Sequence, residues 1–110
     1  MKLRSQLLKG VLEGCILAII QQGPTYGYEL SIKLHEQGLT NISEGSIYPI
    51  LLRLQKEQFI EGQMKPSPSG PRRKYYYLTA TGQEALKNFA THWENIKGPV
   101  DSIIKGGHES

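Results

Sequence analysis

The 110-residue sequence has a single cysteine, Cys15, so no intramolecular disulfide can staple the fold. No positively charged, apolar leader with a small-residue cleavage site precedes the first helical pattern, and a reducing cytoplasm is the expected setting. Long apolar runs are also missing. The richest stretch, residues 7–20, is interrupted by Lys9, Gly10, Glu13 and Gly14 and is too short and too polar to span a bilayer. No membrane partner is expected. Histidines are few, and His35, His92 and His108 stand far apart with no Ser/His/Asp, paired-carboxylate or metal-ligand spacing around them. The sequence therefore predicts no enzyme, no metal and no cofactor. His35 and His92 read as polar-face helix residues, and His108 as part of a frayed end from Gly106 to Ser110. Cys15 lies on a buried stripe, where a thiol behaves as a small hydrophobe rather than a redox sensor.

A hydrophobic content of 38% suits one modest core in a chain of this length, and a second copy is a natural way to bury more surface. The net charge of +3 permits nucleic-acid binding without demanding it. Its distribution says more. From Ser46 to Tyr77 the cations Arg53, Lys56, Lys65, Arg72, Arg73 and Lys74 face only Glu57 and Glu61, a net of +4, and the rest of the chain is close to neutral.

Apolar residues recur at Leu8, Leu12, Cys15, Ile16 and Ile19, with Leu7, Val11 and Ala18 alongside, which predicts a first helix over residues 3–22 buried on two sides. Gly23-Pro24 ends it, and Thr25 is the expected cap of a second helix over residues 26–37, with Leu30 and Leu34 inward. After a polar link with Gly38 and Asn41, Ser43 is the expected N-cap of a third helix carrying Ile47, Ile50, Leu51 and Leu54 and ending near Glu57. Pro49 removes one hydrogen bond inside it, so either its first turn is irregular or it starts later than Ser43 implies. Residues 59–65 and 73–78 read as two strands joined by the loop Pro66-Ser67-Pro68-Ser69-Gly70-Pro71. Thr79 or Thr81 then caps a last helix, Thr81 standing three residues before Glu84 as in a capping box. That helix bears Leu86, Phe89, Trp93, Ile96, Val100 and Ile103 at alternating spacings of about three and four, a heptad seam that calls for a second copy. Gly98-Pro99 is expected to kink or break the seam.

The fold expected is mostly α with a small β-hairpin: a winged helix-turn-helix over residues 1–79 and a C-terminal dimerisation helix over 80–110. In that architecture the third helix enters the major groove of DNA and the hairpin touches backbone or minor groove. Ser43, Glu44, Gly45 and Ser46 are small or polar, suiting close approach of a helix N-terminus to phosphate, and Tyr48 adds a hydroxyl. A purely structural role, with the serines capping and Tyr48 packing, is the alternative. Arg72, Arg73 and Lys74 follow the loop, where three cations at a hairpin tip would neutralise phosphates; otherwise they form a solvated strand end. For Arg53 and Lys56, phosphate contact and surface solubility are equal readings. Trp93 would meet its counterpart across a dimer, either as interface core or as one of two indoles holding a flat aromatic effector, with Phe89 and Val100 as further wall residues. A winged helix used for protein or RNA interaction is the competing class.

The runs Tyr26-Gly27-Tyr28-Glu29-Leu30, Gly45-Ser46-Ile47-Tyr48-Pro49 with Leu52-Arg53-Leu54, Gly70-Pro71-Arg72-Arg73-Lys74-Tyr75-Tyr76, and Leu78-Thr79-Ala80-Thr81-Gly82 together resemble the PadR family of bacterial regulators over roughly residues 8–90. The resemblance implies a homodimeric repressor on an inverted-repeat duplex operator, released in some members by a small ligand. By position it implies that Tyr26, Ser46 and Tyr48 touch phosphates, that the turn before Ile47 nears base edges, and that Arg72, Arg73 and Lys74 form the wing contact. It implies dimerisation through the last helix at Leu86, Phe89, Trp93, Ile96, Val100 and Ile103, assisted by Leu8 and Leu12 of the first. With a single C-terminal helix the chain is similar to the short branch of the family, some of whose members place a tryptophan of this helix in a drug-binding channel.

Overall fold

The computed structural model describes residues 3–106. The chain runs as α1 (Leu3–Gln21), β1 (Thr25–Tyr26), α2 (Gly27–Glu36), α3 (Glu44–Lys56), β2 (Ile60–Ser67), β3 (Gly70–Leu78) and α4 (Ala80–Ile104). Of the end expected to fray, residues 107–110, including His108, lie outside the described residues. Gly106 is within them and closes α4: its φ is 90°, and its N–H donates to the Ile103 carbonyl at 3.0 Å, as a helix-terminating glycine does.

The core gathers one face from each element, with Ile16, Leu17 and Ile20 of α1, Leu30 and Leu34 of α2, Ile47, Leu51 and Leu54 of α3, Ile60 of β2 and Tyr76 of β3 all buried. Only the second half of α1 is enclosed this way. Toward its start Leu7 is exposed and Leu8 and Val11 are half-buried.

The segment after Gly23-Pro24 departs from expectation. Thr25 does not cap α2; it is fully buried, its hydroxyl donates to the Gly23 carbonyl at 2.8 Å, and it begins a short strand pairing Thr25 with Tyr76 and Tyr26 with Tyr75. The N-cap of α2 is Tyr26, with no side-chain cap. The expected hairpin is thus part of a three-stranded antiparallel sheet in the order β1-β3-β2.

Ser43 does cap α3, accepting the Ser46 N–H at 3.2 Å, and the helix begins at Glu44 with Pro49 inside it. The carbonyl that Pro49 leaves without a helical partner is that of Gly45, which is an exposed residue. The hairpin is longer and its tip tighter than expected. Ser67 pairs with Gly70, leaving Pro68-Ser69 as the turn, with Gly70 at φ 130° and the Ser67 hydroxyl donating to the Pro71 carbonyl at 2.7 Å. Pro66 is tolerated because β2 is an edge strand, where a missing N–H is harmless, and the register slips beside it, between Lys65 and Ser67.

Thr79, not Thr81, caps α4. Its side chain accepts the Gly82 N–H at 2.9 Å while its hydroxyl donates to the Gln58 carbonyl at 2.7 Å, tying the helix start to the head of β2. Gly82 is required there, since a Cβ would lie 2.0 Å from the Phe59 carbonyl oxygen. α4 then runs unbroken through Gly98-Pro99, so the expected break does not occur. Proline's φ is already helical, and the Asn95 carbonyl that loses its partner is on an exposed stretch.

Candidate nucleic-acid interface

The inward stripe of α3, Ile47, Leu51 and Leu54, fixes its opposite face by helical period. Gly45, Pro49, Leu52 and Lys56 are exposed on that side. Sequence reasoning passes over Pro49 and Leu52, although the buried triplet was signal enough to find them. At the helix start the Ser43 and Ser46 hydroxyls lie 3.2 Å apart. A Cβ on Gly45 would meet nothing closer than Ser43 Oγ at 3.6 Å, so the fold does not itself demand glycine there.

Tyr48 turns toward the beginning of α2. Its hydroxyl donates to Glu44 Oε2 at 3.1 Å, and its ring occupies the space above Gly27, where a Cβ would approach Tyr48 Oη to 2.8 Å. The hydroxyl's pKa is pushed up, first by burial and then by the hydrogen bond and charge of Glu44, so Tyr48 is a neutral donor at physiological pH. Beside it, Tyr26 packs edge-on against Tyr75 with ring centres 5.3 Å apart and carries the Arg73 guanidinium 4.4 Å from its ring centre, a cation–π contact. A small cavity of about 340 Å³ opens where these parts meet, lined by Tyr26, Gly27, Tyr28, Tyr48, Arg72, Arg73, Lys74 and Tyr76. Residues from three separate stretches of sequence converge there.

The three wing cations lie within β3, just past the Pro68-Ser69 turn, and although adjacent strand residues alternate between faces, all three line the cavity beside Tyr26 and Tyr48. Arg72 donates to the Met64 carbonyl at 3.1 Å and Arg73 to Ser69 Oγ at 3.3 Å. Lys74 lies over Gly62, where an added Cβ would meet its Cε at 2.3 Å. Lys65, counted from sequence among the cations of the basic stretch but not as a contact residue, pairs with Arg73 across the sheet and sits 5.0 Å from the Tyr77 ring centre. The strand register, not the sequence order, reveals its place beside Arg73. Arg53 is placed differently again, held by Glu13 of α1 through two hydrogen bonds, from Nε at 2.6 Å to Oε2 and from Nη2 to Oε1.

A second concavity separates the start of α1 from α4. It is an apolar groove of about 1000 Å³ that brings together Phe89, Trp93 and Val100 with Leu8 and Ile96, and His92 lines it too, although its spacing reads as polar-face. Trp93 is 41% exposed and Ile103 74%. Leu12, by contrast, is buried within the chain and Leu86 is packed against the core, so the open part of the seam is narrower than the spacing predicts. Cys15 is half-buried, and burial pushes its thiol pKa up. His35 and His92 stand on α2 and α4, and no metal-binding cluster of His, Cys, Asp or Glu occurs among the described residues. No helix among them is long and apolar enough to cross a membrane.

Against this geometry, the family model described as the PadR-like transcriptional regulator family matches residues 16–88. A crystal structure of a PadR-like transcriptional regulator from Bacillus cereus is 56% identical, with a TM-score of 0.80 over 90% of this chain and 96% of that one. The crystal structure of a Streptococcus transcriptional regulator is 49% identical, with a TM-score of 0.80 over 89% and 96%. An uncharacterised protein of Lysinibacillus sphaericus is 30% identical over 94% of this chain and 96% of its own.

Proposed function

Because the chain belongs to the PadR-like family of transcriptional regulators, which are not enzymes, we propose that it is a cytoplasmic homodimeric repressor that binds an inverted-repeat duplex operator and leaves it when a small aromatic effector binds. Residues 1–79 serve as the DNA-binding unit and 80–110 as the dimerisation helix. The observation that carries the reading is the convergence of Tyr26, Tyr48, Arg72, Arg73 and Lys74 on one cavity, beside the exposed N-terminal turn of α3 with Ser43, Glu44, Gly45 and Ser46. Hydroxyl and guanidinium groups there suit phosphate oxygens, and the outward stripe of α3 suits base edges in the major groove.

The groove supports the other half of the proposal. Trp93, Ile96 and Val100 are apolar residues that this chain leaves exposed, in a groove also walled by the half-buried Leu8 and Phe89, and a second copy of α4 laid antiparallel over them would cover both seams at once. An effector held between two Trp93 rings would wedge that interface and alter the separation of the two α3 helices.

A gel-shift titration against the DNA upstream of the protein's own gene, with excess nonspecific competitor, tests the proposal. A discrete, competitor-resistant shift is expected. Tyr48→Ala should weaken it by about tenfold, and Arg72→Ala with Arg73→Ala should also reduce the salt dependence by roughly one to two counterions. Unchanged affinity in both variants would defeat the contact assignment. Quenching of the lone tryptophan by planar aromatic compounds checks the effector, and its absence across a broad panel would remove that part.

A further inference from the structure

We propose that Arg53 serves operator binding as a positioning residue, fixing the recognition helix α3 against α1 through Glu13, and does not itself contact phosphate; the inference rests on the DNA-binding reading above. The guanidinium meets the Glu13 carboxylate through two parallel hydrogen bonds, Nε to Oε2 at 2.6 Å and Nη2 to Oε1. This bidentate geometry constrains orientation as well as distance. On its other side Glu57 Oε2 lies 3.9 Å from Nη1. One guanidinium between two carboxylates leaves a net charge of −1 at that place, which repels a phosphate.

The position on the helix agrees. Along α3 the outward stripe is Gly45, Pro49, Leu52 and Lys56, and Arg53 falls to one side of it by helical period, on the flank that Glu13 occupies. The inner faces of α1 and α3 meet in the shared core, and the bond between Arg53 and Glu13, joining residues 40 apart in sequence, ties the two helices at their outer edges. α1 is also the helix whose first half walls the groove, with Val11 only two residues before Glu13 and Leu7 and Leu8 one turn earlier. The pair therefore relates the direction of α3 to the helix that meets α4.

The test uses the full chain and the duplex it recovers from a random-sequence pool, with affinity measured across a salt series. A direct phosphate contact and a positioning pair predict opposite results for Glu13→Gln. Removing a carboxylate beside a contacting arginine would tighten binding, whereas breaking a positioning pair weakens it. We expect Glu13→Gln and Arg53→Gln each to weaken binding on the order of tenfold with an unchanged salt slope. Arg53→Lys, which keeps the charge and loses the fork, should fall with them. The exchange Glu13→Arg with Arg53→Glu should recover most of the affinity. Thermal unfolding should move little in any variant, because exposed ion pairs contribute little to stability. The proposal is overturned if Glu13→Gln binds as well as or better than the unaltered chain while Arg53→Gln loses affinity and about one unit of salt slope. If the unaltered chain recovers no duplex at all, the DNA-binding reading falls first, and this inference with it.

Discussion

Leu54 on α3 and Trp93 on α4 are both large apolar residues on amphipathic helices, yet Leu54 has no exposed surface and Trp93 keeps 41% of its own. The difference runs through the whole molecule. Around Leu54, three helices and a sheet enclose one another, and every face the sequence marks as apolar finds its cover within the chain. Around Trp93, the first half of α1 and the second half of α4 offer the same kind of surface, and nothing among the described residues closes it. Apolar periodicity alone does not distinguish a core stripe from an interface stripe; the supply of other elements within reach does.

The contrast should appear first in unfolding. Leu54→Ala leaves a void in a closed core and should cost about 2–5 kcal/mol. In urea this loss should be the same at every protein concentration. Ile96→Asp, placing a charge on the open seam, should leave the secondary structure intact but weaken self-association by about 2–4 kcal/mol, seen in sedimentation as a shift to the monomer. If Ile96→Asp unfolds the chain, or Leu54→Ala only dissociates it, the division between the two regions is wrong.

A smaller effect sharpens the same line through pH. Burial pushes the Tyr76 hydroxyl pKa up, so at alkaline pH the unfolded chain gives up this proton before the folded one does. The stabilising contribution is fully present below about pH 10, where an unfolded tyrosine begins to ionise, and is lost as pH rises through the folded value. Tyr76→Phe should flatten the fall in urea midpoint above that pH. Trp93→Ala should not, because its indole does not titrate in this range and stands apart from the core that encloses Tyr76.

The helices were legible because each carries its own pattern, from the Ile47-Leu51-Leu54 stripe to the heptad spacing of α4. What escaped was set by partners distant in sequence. Thr25 and Tyr26 make too short a strand to show any alternation, and the reason they are extended is β3, reached only after α2, α3 and β2. Thr79 and Thr81 are equivalent caps until the carbonyl of Gln58 is brought beside Thr79. The prolines of the hairpin loop suggested irregular chain, but an edge strand has no use for the N–H that Pro66 lacks. At the candidate interface, the motif residues Tyr26, Tyr48 and Arg72 to Lys74 were readable as a set. The stacking of Arg73 on Tyr26, the place of Lys65 beside it and the capture of Arg53 by Glu13 required knowing which faces the fold turns together.

The seating of α4 at Gly82 has a mechanical consequence. The helix is 25 residues long, about 37 Å at its normal rise, and its root is fixed at one end by Thr79 and the close approach of Gly82 to Phe59. It is a lever with a short, stiff fulcrum. A tilt of about 5° at that root carries the far end by about 3 Å, close to the roughly 3.4 Å between stacked bases. In the dimer proposed above, any tilt of that root, such as a side chain at Gly82 pressing on the Phe59 carbonyl would impose, is therefore magnified along the helix toward its far end.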